Sequence, residues 1–138
     1  ILDSRNNRRG CVLRSFHRNP KSINRMEKHE PCMSWYMGHG KKVPVIIVED
    51  IPSAVRAVQY MNSVALLGVT LTDDGLTELV NTTEHVIWAL DNDAFQKGQE
   101  YNSAHNLLFK TSNVELLNTD IKDMKEEQLC DLMLKLQS

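Results

Sequence analysis

Val43-Pro-Val-Ile-Ile-Val-Glu49 and Val86-Ile-Trp-Ala-Leu-Asp91-Asn-Asp93 decide how this chain folds. Each is a short apolar run, rich in β-branched residues, that passes directly into carboxylates. Runs of this kind read as buried strands of a parallel sheet, covered on both faces. Carboxylates placed where such strands end sit at the sheet's C-terminal edge, where open α/β folds bind their ligands. Three acidic groups gathered there repel one another unless a cation lies between them. The two stretches together therefore point to a divalent-ion site on an α/β sheet, and phosphate chemistry is the usual use of one.

Outward from these strands the elements alternate. Gly10–Phe16 reads as a strand with an antiparallel neighbour. Arg18–Lys42 is polar and broken by Pro20, Pro31, Gly38 and Gly40, which predicts loop and short turns. Pro52 suits a first helical turn, and Ala54, Val55, Ala57, Val58 and Met61 form a helical stripe ending near Asn62. Val64–Leu67 is a short strand, followed by the breaker Gly68. Thr72 or Asp73 can cap a helix running through Leu79. His85–Leu90 is the next strand, a helix is expected from Ala94 to Leu108, and Val114–Leu117 is a last strand. Leu129, Leu132, Met133 and Leu136 mark a final helix over Lys125–Leu136. Alternation of strand and helix implies an α/β fold, a mostly parallel sheet flanked by helices.

The bulk properties agree with one compact domain. The chain has 138 residues, 41% hydrophobic and 25% charged. No apolar run approaches the roughly 20 residues that span a bilayer, and no secretory signal pattern is present. Beginning at Ile1 without a methionine, the sequence reads as a piece of something longer. Its net charge of −2 conceals a division. Residues 1–42 hold 10 Lys and Arg against 3 Asp and Glu, a net of +7, and residues 43–138 hold 6 against 15, a net of −9. A basic lobe beside an acidic one suits a polyanion on one face and cations in a pocket, although a basic terminal arm can also be no more than solvated chain. Cys11, Cys32 and Cys130 are scattered and odd in number, which favours a reducing compartment over a disulfide framework. His29, Cys32 and His39 lie close in sequence, but no paired cysteine knuckle accompanies them and a fourth ligand is missing, which argues against zinc.

The acidic residues have competing readings. Glu49 can be a metal ligand, a general base, or an acidic residue favoured at a helix start. Asp91 and Asp93, two apart in extended backbone, point the same way and can serve one ion. Alternatively Asp93 caps the helix that begins near Ala94, which accounts for one aspartate and leaves the other unexplained. Asp120-Ile-Lys-Asp123 follows the last strand. Asp123 can extend the ion site with Lys122 near phosphate, or the stretch is a solvated turn. Trp88 lies within a strand and is assigned to the core, whereas Trp35 and Tyr36 are either surface contacts or packed beneath the basic loop.

Taken together, Val-Ile-Ile-Val-Glu49-Asp-Ile-Pro-Ser-Ala54, Ala-Leu-Leu-Gly68-Val-Thr70 and Val-Ile-Trp-Ala-Leu-Asp91-Asn-Asp93 resemble the Toprim domain. That domain is shared by bacterial-type primases, phage primase-helicases, type IA and II topoisomerases and some nucleases. The match is ordered and spaced correctly over about residues 43–123. It departs at Asp50, where the family usually has glycine after the glutamate. An altered turn is expected there, and Asp50 can add a further carboxylate. Arg9-Gly-Cys-Val-Leu-Arg14, Lys21 and Gly40-Lys-Lys42 resemble the basic subdomain that precedes Toprim in phage primase-helicases, and Lys122-Asp123 resembles the Lys-Asp after the last strand of primase Toprim domains.

The resemblance implies a Toprim fold over 43–138 with a small basic N-terminal subdomain over 1–42, in the catalytic core of a DNA primase of the DnaG type. It implies Glu49, Asp91 and Asp93 as catalytic groups, Mg2+ or Mn2+ held by these three and Asp123, and Arg14, Arg18, Lys21 and Lys122 for template or nucleotides. The implied partners are a single-stranded DNA template, ribonucleoside triphosphates and a replicative helicase, fused or separate, with no membrane. The implied location is the cytoplasm, that of a phage-infected bacterium included. Another Toprim enzyme (a nuclease or a topoisomerase piece) and a non-catalytic Toprim scaffold are the alternatives. Neither the zinc-binding module of such primases nor a helicase Walker A motif is in this sequence.

Overall fold

A computed structural model describes residues 1–14, 22–26, 33–40, 42–116 and 119–137. Strands β1 (Gly10–Arg14) and β2 (Ser22–Met26) form an antiparallel pair of their own. The remaining elements follow in the order β3 (Ser34–Tyr36), β4 (Val45–Val48), α1 (Ile51–Ala57), β5 (Asn62–Ala65), α2 (Asp73–Thr82), β6 (His85–Trp88), α3 (Phe95–Ala104), β7 (Lys110–Asn113) and α4 (Glu126–Gln137). The five strands from β3 to β7 make one sheet in the order β3-β5-β4-β6-β7. All neighbours are parallel except β3, which lies antiparallel to β5 at the edge. The fold is α/β, with a mostly parallel sheet flanked by helices.

Strand periodicity divides the core into two layers. Ile46 and Val48 point to one face, with Ala54 and Ala57 of α1 and Leu129 and Met133 of α4. Val45 and Ile47 point to the other, with Leu79 of α2 and the buried Trp35, Trp88 and Phe109. The connection through α1 leads from β4 to one side of the sheet, and the connection through α3 leads from β6 to the other. Right-handed crossovers running in opposite directions place their helices on opposite faces. Between β4 and β6 the direction changes, and a crevice opens at the strands' C-terminal ends.

Several elements depart from the sequence expectation. The span read as loop, Arg18–Lys42, contains both β2 and β3. Ser22–Met26 is polar, and Ser34–Tyr36 is too short to show a period, so neither gives a clear strand signal. The first helix ends at Ala57 instead of near Asn62, because Asn62 opens β5. Its buried amide nitrogen donates to Gly40 O at 2.7 Å and Val43 O at 3.3 Å, while its Oδ1 accepts from His39 N at 2.9 Å. The last strand is Lys110–Asn113 instead of Val114–Leu117. An edge strand can be polar, and the apolar Val114 and Leu116 pack onto the α1–α4 layer after the strand has ended. α3 stops at Ala104, leaving Leu107 and Leu108 exposed in the turn that follows.

Trp88 is fully buried as expected, and its indole Nε1 donates to Thr111 Oγ1 at 2.8 Å. Trp35 is buried in the same layer. Residues 1–9 form a small loop closed on itself by Asp3, whose carboxylate accepts from Arg5 N, Asn7 N and Arg9 Nε. The loop docks on β3 through Trp35 N to Leu2 O at 2.8 Å and Leu2 N to Ser34 Oγ at 3.0 Å. Residue 42, the expected subdomain boundary, falls in the β3–β4 connection, so the amino-terminal segment contributes β3 to the main sheet.

Asn62→Ala removes three hydrogen bonds that order the β3–β4 connection. The expected loss is about 1–3 kcal/mol of folding free energy, read from urea unfolding with an unchanged m-value.

Candidate metal centre

The two strand ends at the crevice carry the acidic residues. Parallel pairing sets Ile47 beside Trp88, and Ala89 N donates to Ile47 O at 2.9 Å just past the ladder. Adjacent strands lie about 4.8 Å apart, so Glu49, one residue past β4, and Asp91, three residues past β6, come within reach of each other. Asp93 joins them from a single 3₁₀ turn over Asn92–Ala94, closed by Ala94 N to Asp91 O at 2.8 Å. One carboxylate oxygen from each of Glu49, Asp91 and Asp93 lies within 4.8 Å of the other two. The pair converges through this turn and not through extended backbone, because β6 ends at Trp88.

None of the three is engaged as a helix cap. α1 is capped by Asp50, whose side chain accepts from Ser53 N at 2.9 Å. The 3₁₀ turn has Asp91 at its start and α3 has Ala94, and neither start carries a side-chain capping bond. The capping reading of Asp93 therefore fails, while Glu49 stands one residue before the α1 cap, which is Asp50. What remains is three hard oxygen donors converging on one point, the donor chemistry that Mg2+ and Mn2+ accept.

The electrostatics reflect the crowding of these carboxylates. Burial pushes the Glu49 carboxyl up to about 8, reinforced by its hydrogen bond to Asp91 and by the charges of Asp91, Asp93 and Asp120. Asp120 is also raised, first by burial and then by Asp91, with which it shares a hydrogen bond, and Lys122 opposes the shift. Asp120 is thus a fourth acidic neighbour that the sequence reading passed over in favour of Asp123. Asp123 is exposed on the 3₁₀ turn Ile121–Asp123 and is not among the three converging groups. Both residues follow the last strand, and their spacing alone does not say which one faces Asp91.

The Asp120–Asp123 turn is fixed by α1. Arg56 Nη1 donates to Ile121 O at 2.8 Å, to Lys122 O and to Met124 O, and its Nη2 reaches Glu126 Oε2 at 3.1 Å. Lys122 N donates to Ser53 Oγ at 3.1 Å. Lys122 Nζ meets Asp50 Oδ2 at 2.9 Å. Burial opposes ionisation of Asp50, but the hydrogen bonds from Lys122 and Ser53 outweigh it and hold the carboxyl below the usual range. Asp50 itself has φ −127° and ψ 161°, ordinary extended backbone, so the position does not require the family's glycine. Its carboxylate serves the helix cap and Lys122.

The expected nucleic-acid contacts are less fully placed. Arg14 ends β1, with its side chain outside the described residues, and Arg18 and Lys21 lie wholly outside them. Of the residues weighed for zinc, His29 and Cys32 are likewise outside, and His39 Nε2 meets the Val58 carbonyl.

Comparison with known proteins finds a family and a solved structure to which this chain is similar. The family described as Toprim-like matches residues 49–130. The crystal structure of the Aquifex aeolicus primase (zinc binding and RNA polymerase domains) is similar over 99% of this chain and 38% of that one, at a TM-score of 0.72 and 23% sequence identity. This chain therefore spans well under half the length of that solved chain. No curated protein sequence matches.

The raised Glu49 carboxyl fixes the sign of a pH effect. The fold keeps a proton on Glu49 up to about pH 8, whereas the unfolded chain releases it near 4.5. Without divalent ions, this group's contribution to stability is full below 4.5 and falls as pH rises through 8. Thermal melting in chelator from pH 5 to 9 should show this decline, and Glu49→Gln should flatten it. Mg2+ or Mn2+ should restore stability at the alkaline end and not at pH 5.

Proposed function

Because the chain belongs to the Toprim-like family, whose match covers more than half its residues, we propose that it is the catalytic core of a DNA primase, making RNA primers on single-stranded DNA with a divalent metal. The observation that carries this reading is the convergence of Glu49, Asp91 and Asp93 at the crevice between β4 and β6. The likeness to the Aquifex aeolicus primase along nearly the whole chain, β1–β2 included, supports it. A Toprim nuclease needs the same carboxylates but not the basic amino-terminal segment.

In this reading Glu49, Asp91 and Asp93 hold Mg2+ or Mn2+, with Asp120 alongside and Asp123 at the rim. A bound divalent ion lowers the pKa of a primer 3′-hydroxyl and neutralises the charge that develops as pyrophosphate leaves. Glu49 must lose its proton to serve, so metal binding and deprotonation are coupled. Lys122, kept cationic by Asp50, supplies a positive charge on the same turn as Asp120. Arg14, Arg18 and Lys21 contact phosphates of the template or of incoming ribonucleoside triphosphates, contacts that weaken steeply with salt. The 1–42 and 43–138 segments act as the basic and metal-binding sides of one groove. A replicative helicase, fused or separate, and the cytoplasm of a bacterium, phage-infected or not, complete the proposal.

A topoisomerase needs a nucleophilic tyrosine, normally on a separate domain, and the three tyrosines of this chain have structural partners. Tyr36 accepts from Ser34 Oγ, Tyr60 donates to Glu126 Oε1, and Tyr101 donates to Val69 O. All three hydroxyls are engaged in holding the fold.

The test is a labelled-ribonucleotide assay on single-stranded DNA with Mg2+ or Mn2+, using the intact parent protein. Oligoribonucleotides should form, and Asp91→Ala should reduce the rate at least about 100-fold, the scale of lost transition-state charge stabilisation. DNA cleavage without synthesis would assign the site to a nuclease instead.

A further inference from the structure

Tyr101 lies on α3, ten positions after Asp91, yet its hydroxyl serves another loop. It donates to Val69 O at 2.7 Å and accepts from Leu71 N at 3.0 Å, both in the β5–α2 connection. The near end of the same connection is tied to the metal centre. The amides of Leu67 and Gly68 donate to the Glu49 carbonyl at 2.8 and 3.4 Å. Leu67 does so at φ 60°, a left-handed conformation that a bulky side chain disfavours, followed by Gly68 at φ 144°. Strained backbone of this kind persists only where its surroundings over-determine it.

These contacts close a ring around the crevice. Asp91 and Asp93 lead into α3, Tyr101 joins α3 to Val69 and Leu71, and Leu67 and Gly68 return to Glu49. β5 and β6 flank β4, so the link joins elements leaving the strands on either side of the glutamate's own strand. Glu49 lies just beyond the β4 ladder, where its peptide is no longer held by strand pairing. The bonds from Leu67 and Gly68 take over that task. The Tyr101 ring has a separate reason to be there, since it packs on Trp88 at 5.0 Å between centroids with Lys97 Nζ 5.4 Å from its centre. Ring and hydroxyl therefore have different functions.

We propose that Tyr101 is a positioning residue, whose hydroxyl braces the 67–71 connection against α3 and so sets the Glu49 carboxylate against Asp91 and Asp93 for a divalent ion. The inference rests on the divalent-ion reading of the site. Tyr101→Phe keeps the ring and removes only the hydroxyl. Calorimetric titration with Mn2+ alone should show binding about tenfold weaker than in the unsubstituted protein, the scale of losing one or two net hydrogen bonds. Amide exchange at Leu67, Gly68 and Leu71 should quicken in the same variant. The control is Thr111→Val, which deletes the acceptor of the Trp88 indole in the neighbouring core. It should lower the melting temperature in chelator and leave Mn2+ affinity unchanged. Unaltered Mn2+ affinity in Tyr101→Phe, or an equal loss in Thr111→Val, overturns the brace. If the unsubstituted protein binds no Mn2+, or Asp91→Ala binds it as well, the metal reading itself falls and takes the brace with it.

Discussion

Glu49 and Asp91 leave neighbouring parallel strands, and the spacing of a sheet holds their carboxylates together whether or not they repel. β4 and β6 are hydrogen-bonded and buried on both faces, so neither strand can move away to relieve that repulsion. The strain shows in the protonation of Glu49, where burial and three acidic neighbours favour the neutral form. A protein interior rarely accumulates such charge for stability, since removing the groups would be cheaper than enclosing them. The arrangement is consistent with a site whose complement arrives from outside, as a cation carrying its own water and phosphate ligands.

Around this cluster tertiary contacts separate structural acids from converging ones. Asp50 is adjacent to Glu49 and equally acidic, yet it is engaged by Ser53 N and Lys122 Nζ. Asp3 is likewise satisfied by its own loop and by Arg9. Arg56 uses its guanidinium to hold the turn that carries Asp120 and Lys122, tying the far end of the chain to the helix that follows Glu49. The division depends on partners: Asp50 and Asp3 are hydrogen-bonded by cations and amide donors, whereas Glu49, Asp91 and Asp93 converge on one another.

The legible parts of the fold were those with strong local signals. Val45–Val48 and Val86–Trp88 are unbroken apolar runs, Thr72 caps α2 through Gly75 N at 3.0 Å, and the α4 stripe matches its buried residues Leu129 and Met133. Glu49 and Asp91 were legible because each directly follows such a run, and Asp93 because it lies two residues beyond Asp91. The illegible parts lack local signals. β7 is Lys-Thr-Ser-Asn, a strand only because β6 offers it a pairing edge. β3 is three residues long and owes its place to β5. Asp120 was hidden because nothing within its own turn distinguishes it from Asp123.

The sequence by itself determined the alternation of strands and helices, the two buried strands and the three carboxylates at their ends, because hydrophobic period and residue chemistry are local properties. Only the tertiary structure decided which acids converge and which are neutralised. It also decided that Tyr101 and Arg56 serve loops far from their own helices. Those outcomes depend on strand order and on contacts between segments tens of residues apart, and no window of sequence contains both partners.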